Sequence, residues 1–289
     1  MGHYPALTNE EKIMPIIEPG NPDLKKLNGI HLWHAGLSTC SQRARITLAE
    51  LGLGFESHLV DLHAGENATE AYQQIHPNGV VPAMVHDGTL VIESIDIIAY
   101  LDETLGHGQL RPASQEQDIA RLLKQANEAQ PQLKLCTFEF LFQAAPSVPE
   151  SVAEEFQKTH KNEWLKQFHK DYRSGFERSR VHEAVNDVHA DFQMLDQLCS
   201  DGRAWLAGPD FSLADIAWMP NFHRFELIGW PFDRYPELKR WFAAASGRDS
   251  YHTALQEWEP QELLNVVIPK LDVRRKAGDG IETYGCLAP

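Results

Sequence analysis

The chain has 289 residues, 43% of them hydrophobic and 23% charged, which is ordinary material for one or two packed globular domains. A formal net charge of -15 argues against nucleic acid or an anionic membrane as the main partner, and the basic run Arg274-Arg275-Lys276 is too short to change that. Four cysteines, Cys40, Cys136, Cys199 and Cys286, stand without a CxxC pair, and the 14 histidines without HExxH spacing. No disulfide framework and no metal site are therefore expected, and a cytoplasmic location is.

Residues 1–29 are rich in Pro, Asn, Glu and Lys without clear periodicity and are expected to form an extended arm. They have neither the basic start nor the apolar core of a signal peptide or membrane span. Ile30 to His34 is a short strand ending in Ala35-Gly36-Leu37. Ser38-Thr39-Cys40-Ser41 then leads into a helix with Ala44, Leu48 and Leu51 on one face, stopped by Gly52. Phe55 to Leu62 reads as a second strand and Thr69 to Ile75 as a short helix.

The stretch from His76 to Asp96, HPNGVVPAMVHDGTLVIESID, reads as turn, strand, turn, strand, helix, with Asp87-Gly88 as a two-residue hairpin signal. Pro82 has no N–H for a sheet ladder, so it belongs at a strand start or edge, and a cis bond after Val81 would explain its place. Such a turn leaves the N–H and C=O of Val81 to pair with an extended peptide. Glu93-Ser94 opens a helix running to Leu105. Residues 30–105 thus read β-α-β-α-β-β-α, an α/β thioredoxin-like domain, with the leading strands parallel and the hairpin antiparallel.

Residues 106–114 are a linker, and from Gln115 the strand signals vanish. Residues 115–144 and 152–200 are long helical patterns split by Ala145 to Pro149. Ser212-Leu213-Ala214-Asp215-Ile216 is a capping-box pattern, with Trp218, Phe222 and Phe225 at helical spacing behind it. Helices at Tyr235 to Ala245 and Ser250 to Trp258 complete an all-α domain over 115–260. Residues 261–289 are a tail whose course the pattern does not give.

Two places carry chemistry. At the strand-to-helix junction Ser38, Thr39 and Cys40 face the unpaired N–H groups of a first helical turn, where a thiolate is readily stabilised. A thiol of pKa about 8.5 is roughly 3% ionised at pH 7, and lowering it by two units takes roughly 2.7 kcal/mol. Either Cys40 is the nucleophile, or Ser38 donates to the thiolate of a bound cosubstrate; simple N-capping is the bland alternative. Ser94, at the other helix start, favours an anionic group. With Val81 it describes a docking edge for a small peptide carboxylate.

Three motifs in order, STCSQRARITLAE, NGVVPAMVHDGTLVIESIDIIAYLDE and FSLADIAW, make the chain resemble a cytosolic glutathione transferase over roughly residues 30 to 260. The resemblance implies that glutathione, as cosubstrate, pairs with Val81 beside Pro82, that Glu93 and Ser94 hold its γ-glutamyl end, and that Ser38 activates its thiol with Thr39 and Cys40 nearby. Ser212 and Asp215 match the family's structural capping box. STCSQRAR is similar to zeta-type members, which include maleylacetoacetate isomerase, and to tetrachlorohydroquinone reductive dehalogenase. The cysteine of omega-type members falls at Ser38.

Val80 departs from the glutamine of many relatives, and the insertion around Pro146 to Arg180 resembles the bacterial β-etherases that cleave lignin-derived aryl ethers. Phe138, Phe140 and Phe142, with Trp218, Phe222 and Phe225, are candidates for an aromatic pocket, and Asn127, Glu128, His223 and Arg224 for its polar wall. The first expectation is therefore a transferase whose glutathione thiolate displaces an aryl ether oxygen or halide from an aromatic electrophile. Glutathione-dependent cis-trans isomerisation and a non-catalytic binding module are the alternatives. The resemblance also implies a homodimer.

Overall fold

The computed structural model describes residues 16–288, so residues 1–15 of the expected arm lie outside the described residues. Five strands form one mixed sheet, β1 (Ile16–Ile17), β2 (Ile30–His34), β3 (Glu56–Leu59), β4 (Ala83–His86) and β5 (Thr89–Ile92), in the order β1-β5-β4-β2-β3. β2 and β3 are parallel, while β4 is antiparallel to both β2 and β5, as the short hairpin connection requires. Asp87 (φ 46°) and Gly88 (φ 80°) make that hairpin with both central residues left-handed, the geometry that suits strand twist. A Cβ on Gly88 would stand 2.6 Å from the Lys25 carbonyl oxygen, so glycine is required there.

β1 pairs Ile16 with Val91 and Ile17 with Leu90. Part of the stretch read as an arm therefore belongs to the sheet, and two residues are too few for alternation to announce it. α1 (Thr39–Glu50), α2 (Glu70–Gln73) and α3 (Ser94–Thr104) complete the α/β unit. α1 is buried on all sides from Ser41 to Leu48. Ala44 and Leu48 pack with Leu32, Met84 and Leu101, while Ile46 joins the core of the helical domain, so this helix is the joint between the two.

The helical domain comprises α4 (Glu116–Glu128), α5 (Gln130–Cys136), α6 (Glu150–Thr159), α7 (Glu163–Ser174), α8 (Arg178–Cys199), α9 (Leu213–Leu227), α10 (Pro236–Ser246), α11 (Asp249–Ala254) and α12 (Gln261–Lys276). α5 continues through a π turn, Thr137–Leu141. The expected capping box is present at the start of α9: the Asp215 carboxylate takes the Ser212 N–H at 2.9 Å, the Leu206 N–H at 2.9 Å and the Trp241 indole N–H at 2.8 Å. Burial pushes the Asp215 pKa up, and these donors act against it.

The tail is a packed element. Arg274 of α12 donates to the Glu139 carbonyl at 2.7 Å and to its carboxylate at 2.6 Å, and Ile281, Tyr284 and Leu287 are buried beyond it. The insertion, α6 and α7, returns to the first domain. The Gln73 amide donates to the Thr159 carbonyl at 3.1 Å and accepts the Lys161 N–H at 2.9 Å, and His160 Nε2 lies 3.0 Å from the Gly79 carbonyl oxygen.

Candidate active site

Ser38 is the N-cap of α1, with extended backbone and its Oγ accepting the Ser41 N–H at 3.2 Å. Its own proton is left to donate outward, which is what a hydroxyl needs to stabilise a thiolate. The turn that presents it is held from behind. Arg45 donates to the carbonyls of Ala35 (3.3 Å) and Gly36 (2.9 Å), Arg224 donates to the carbonyl of Leu37, and a Cβ on Gly36 would collide with the Trp258 carbonyl. Thr39 and Cys40 instead point across to the helical domain, where both donate to the Gln130 side-chain oxygen at 3.4 Å.

Cations crowd this turn. Arg43, fully buried, donates to the carbonyls of Ala217 and Ala126 at 2.9 Å and to Ser94 Oγ at 3.2 Å. Arg43 and Lys134 both lie in electrostatic contact with Cys40, and Arg45 and Arg224 both face Glu259. Lost solvation lowers the pKa of all four, to about 9 for Arg45 and about 10 for Arg224, with the Cys40 or Glu259 charge acting the other way. Glu259 is itself buried, 2.9 Å from His223 Nε2, while the Tyr251 hydroxyl meets the other ring nitrogen at 2.6 Å. In a chain of net charge -15, four cations thus gather at one turn, a field that favours an anion.

Across from the turn, the Val81–Pro82 bond is cis and the β4 ladder begins at Ala83. No described residue hydrogen-bonds to the main chain of Val81, whereas the neighbouring Val80 carbonyl accepts from the Tyr72 hydroxyl at 2.7 Å. Such an unpaired strand start suits the addition of an extended peptide. Glu93, at φ 65°, holds a conformation that side chains rarely adopt, at the cap of α3. Burial raises its pKa against a hydrogen bond from Asn78. Asp96 is pushed up to about 6, first by burial and then by Glu93.

Ser94 Oγ accepts from Arg43, so its proton is directed elsewhere. Two carboxylates stand beside a helix N-terminus backed by a guanidinium. That arrangement offers partners for both charges of an α-amino-acid head, its ammonium and its carboxylate.

The aromatic expectations divide. Phe138 is half-buried, edge-on to Phe142, Phe168 and Tyr172 at 5.0 Å and to His169 at 5.4 Å, and Phe142 is also half-buried. Trp218 and Phe222 are corrected to core. Trp218 donates its indole N–H to the Leu122 carbonyl at 3.1 Å, and Phe222 stacks on Phe232 at 3.6 Å. Phe140 and Phe225 are core as well, because helical spacing marks a buried face without saying what covers it. Asn127 and Glu128 are exposed, and His223 and Arg224 belong to the buried network behind Ser38.

A depression of about 510 Å³ lined by Arg45, Ala49, Leu53, Phe55 and Trp258 touches none of the candidate residues. Arg43, Lys134, Asp96 and Glu259 were missed. Only the three-residue spacing of Cys40 and Arg43 carried a hint, since it sets them on one helix face.

A family model of the glutathione S-transferase N-terminal domain matches residues 37–104, and one of the glutathione S-transferase C-terminal domain matches residues 160–244, together just over half of the chain. Among curated proteins, glutathione S-transferase hmp2 of Hypomyces subiculosus is 27% identical over 233 residues, covering 79% of this chain and 98% of the relative. Maleylacetoacetate isomerase of Mus musculus is 25% identical over 232 residues, covering 78% and 93%. Among solved structures, beta-etherase LigF from Sphingobium sp. strain SYK-6 superposes with a TM-score of 0.70 at 23% identity, covering 79% of this chain and 99% of its own.

Proposed function

The chain belongs to the glutathione S-transferase family, enzymes with glutathione as cosubstrate, and from that premise we propose that it transfers glutathione to an aromatic electrophile. In this reading the tripeptide lies along the Val81 edge, its γ-glutamyl head between Ser94 and the Glu93 and Asp96 carboxylates, and its sulphur at Ser38. The thiolate attacks an activated carbon, the C–S bond forms, and the C–O bond to an aryl ether oxygen breaks. The oxygen leaves with the bonding pair and takes up the proton that the thiol gave up. A halide leaves in the same way, and no oxidant or reductant enters. The supporting observation is the Ser38 hydroxyl at a helix start, with Arg45 and Arg224 on the carbonyls of the turn before it and Arg43 and Lys134 beside Cys40, in a strongly acidic chain.

The likeness to maleylacetoacetate isomerase supports a second reading, in which the thiol adds to an acidic substrate, allows rotation and leaves; the cationic side chain of Lys134 favours it. Pairing of two copies, first domain against second, belongs to the same family-based reading. Incubation with glutathione and matched aryl ethers, aryl halides and maleyl compounds separates the cases. A thioether plus released phenol or halide is expected. Isomerised product with glutathione unchanged selects the second reading, and no turnover of any class by a protein that fails to bind glutathione rejects both.

A further inference from the structure

We propose that Lys134 is the anion receptor of the electrophile subsite, so that the electrophile this chain takes is an aromatic molecule bearing a negatively charged oxygen. The inference rests on the reading of the Ser38 turn as the place where the thiol reacts. Gln130, one turn earlier on α5, accepts the Cys40 thiol proton at 3.4 Å, which lays α5 across the first turn of α1. Lys134 follows one helical turn on, and Cys40 is the group that acts to raise its pKa.

Its ammonium stands 5.5 Å from the ring centres of both the half-buried Phe138 and the buried Phe168. What distinguishes Lys134 is what it lacks. Arg43, Arg45 and Arg224 each have carbonyl acceptors. Among the described residues, Lys134 has no hydrogen-bond acceptor and no carboxylate within ion-pair distance.

Two faces of aromatic ring compensate a cation only in part, and the ammonium of this half-buried lysine has three donors to satisfy. The titratable groups facing it are Cys40, His160 and His169. Burial lowers the pKa of both histidines, that of His169 to about 3, so at neutral pH neither supplies a second cation and neither supplies an anion. Burial lowers that of Lys134 too, the direction expected of a cation still missing its partner. A carboxylate or ionised phenol on the ligand, its ring against Phe138, would complete the set.

The test uses the glutathione-saturated full chain and a pair of unreactive probes alike in shape, para-phenoxybenzoate and its neutral amide, with affinity read by tryptophan quenching. The wild type should prefer the acid, and Lys134→Met should lower the acid's affinity about tenfold while leaving the amide nearly unchanged, the range for one lost charge-assisted hydrogen bond. Lys134→Arg should keep most of the preference. Equal loss for acid and amide in both variants, or no loss for either, overturns the proposal. So does a rise in the KM of glutathione alone in Lys134→Met, which would assign the ammonium to the tripeptide's own glycyl carboxylate. Because binding is read without turnover, failure of the transferase reading shows separately, as a bound thiol that does not ionise.

Discussion

At the scale of single residues, the division of labour in the first turn of α1 is the sharpest consequence of the geometry. Ser38→Ala removes the outward donor and should cut kcat/KM by about 10- to 1,000-fold, the order expected for one transition-state hydrogen bond. Cys40→Ser keeps a donor toward Gln130 and should leave most of the activity. Loss of activity in Cys40→Ser with retention in Ser38→Ala would move the chemistry to thiol–disulfide exchange.

Asp96 carries a pH signature. An ammonium is bound by the ionised carboxylate, and with its pKa up at about 6, glutathione affinity should fall as pH drops through that value. Asp96→Asn should weaken binding at pH 7 and flatten the profile, as calorimetry would show. The sign for folding is the reverse. A carboxylate held above its ordinary value of about 3.9 makes its favourable contribution when protonated, and loses it as pH rises from about 4 to about 6.

The helix starts at Ser38 and Ser94 and the place of Pro82 just before a strand were legible in sequence because a cap, a helix start and a missing N–H are local facts. Arg43, Lys134 and Glu259 were not, since only tertiary packing decides which buried charges meet.

At the scale of elements, the β2–α1 turn is held in place by side chains from α1, α9 and the segment before α12. Glu259 is the carboxylate facing Arg45, Arg224 and His223, and Glu259→Gln leaves buried guanidiniums without a counter-charge. A loss of about 3 kcal/mol in denaturant unfolding is expected, the cost of breaking a buried pair from one side. A change within error would mean that main-chain carbonyls alone suffice. The same scale shows why the long helical pattern over 152–200 divides into separate helices. The Asn162 side chain caps α7 by accepting the Leu165 N–H at 3.0 Å, and Gly175 ends it at φ 83°. Both residue types are boundary signals, but amphipathic spacing continues across them, and periodicity alone does not see a break.

At the scale of the whole molecule, the insertion ties the two domains together through Gln73, Thr159, Lys161, His160 and Gly79. Gln73→Ala removes two of these ties, so limited proteolysis between residues 146 and 176 should accelerate while the remainder of the chain stays protected. The α/β-then-α order was readable because each domain has its own hydrophobic period. The edge strand at Ile16–Ile17 and the packed tail were not, one too short to alternate and the other held by partners distant in sequence. Charge is arranged at the same scale, a net -15 overall against a cationic focus behind one turn. That focus is open to one direct measurement, a pH titration of the thiolate absorbance of glutathione bound to the wild type and to Ser38→Ala. The bound thiol should ionise about two units below its free value of about 8.5 and recover most of that shift in the variant. A bound thiol that titrates as it does in water, or a depressed value indifferent to residue 38, would contradict the account.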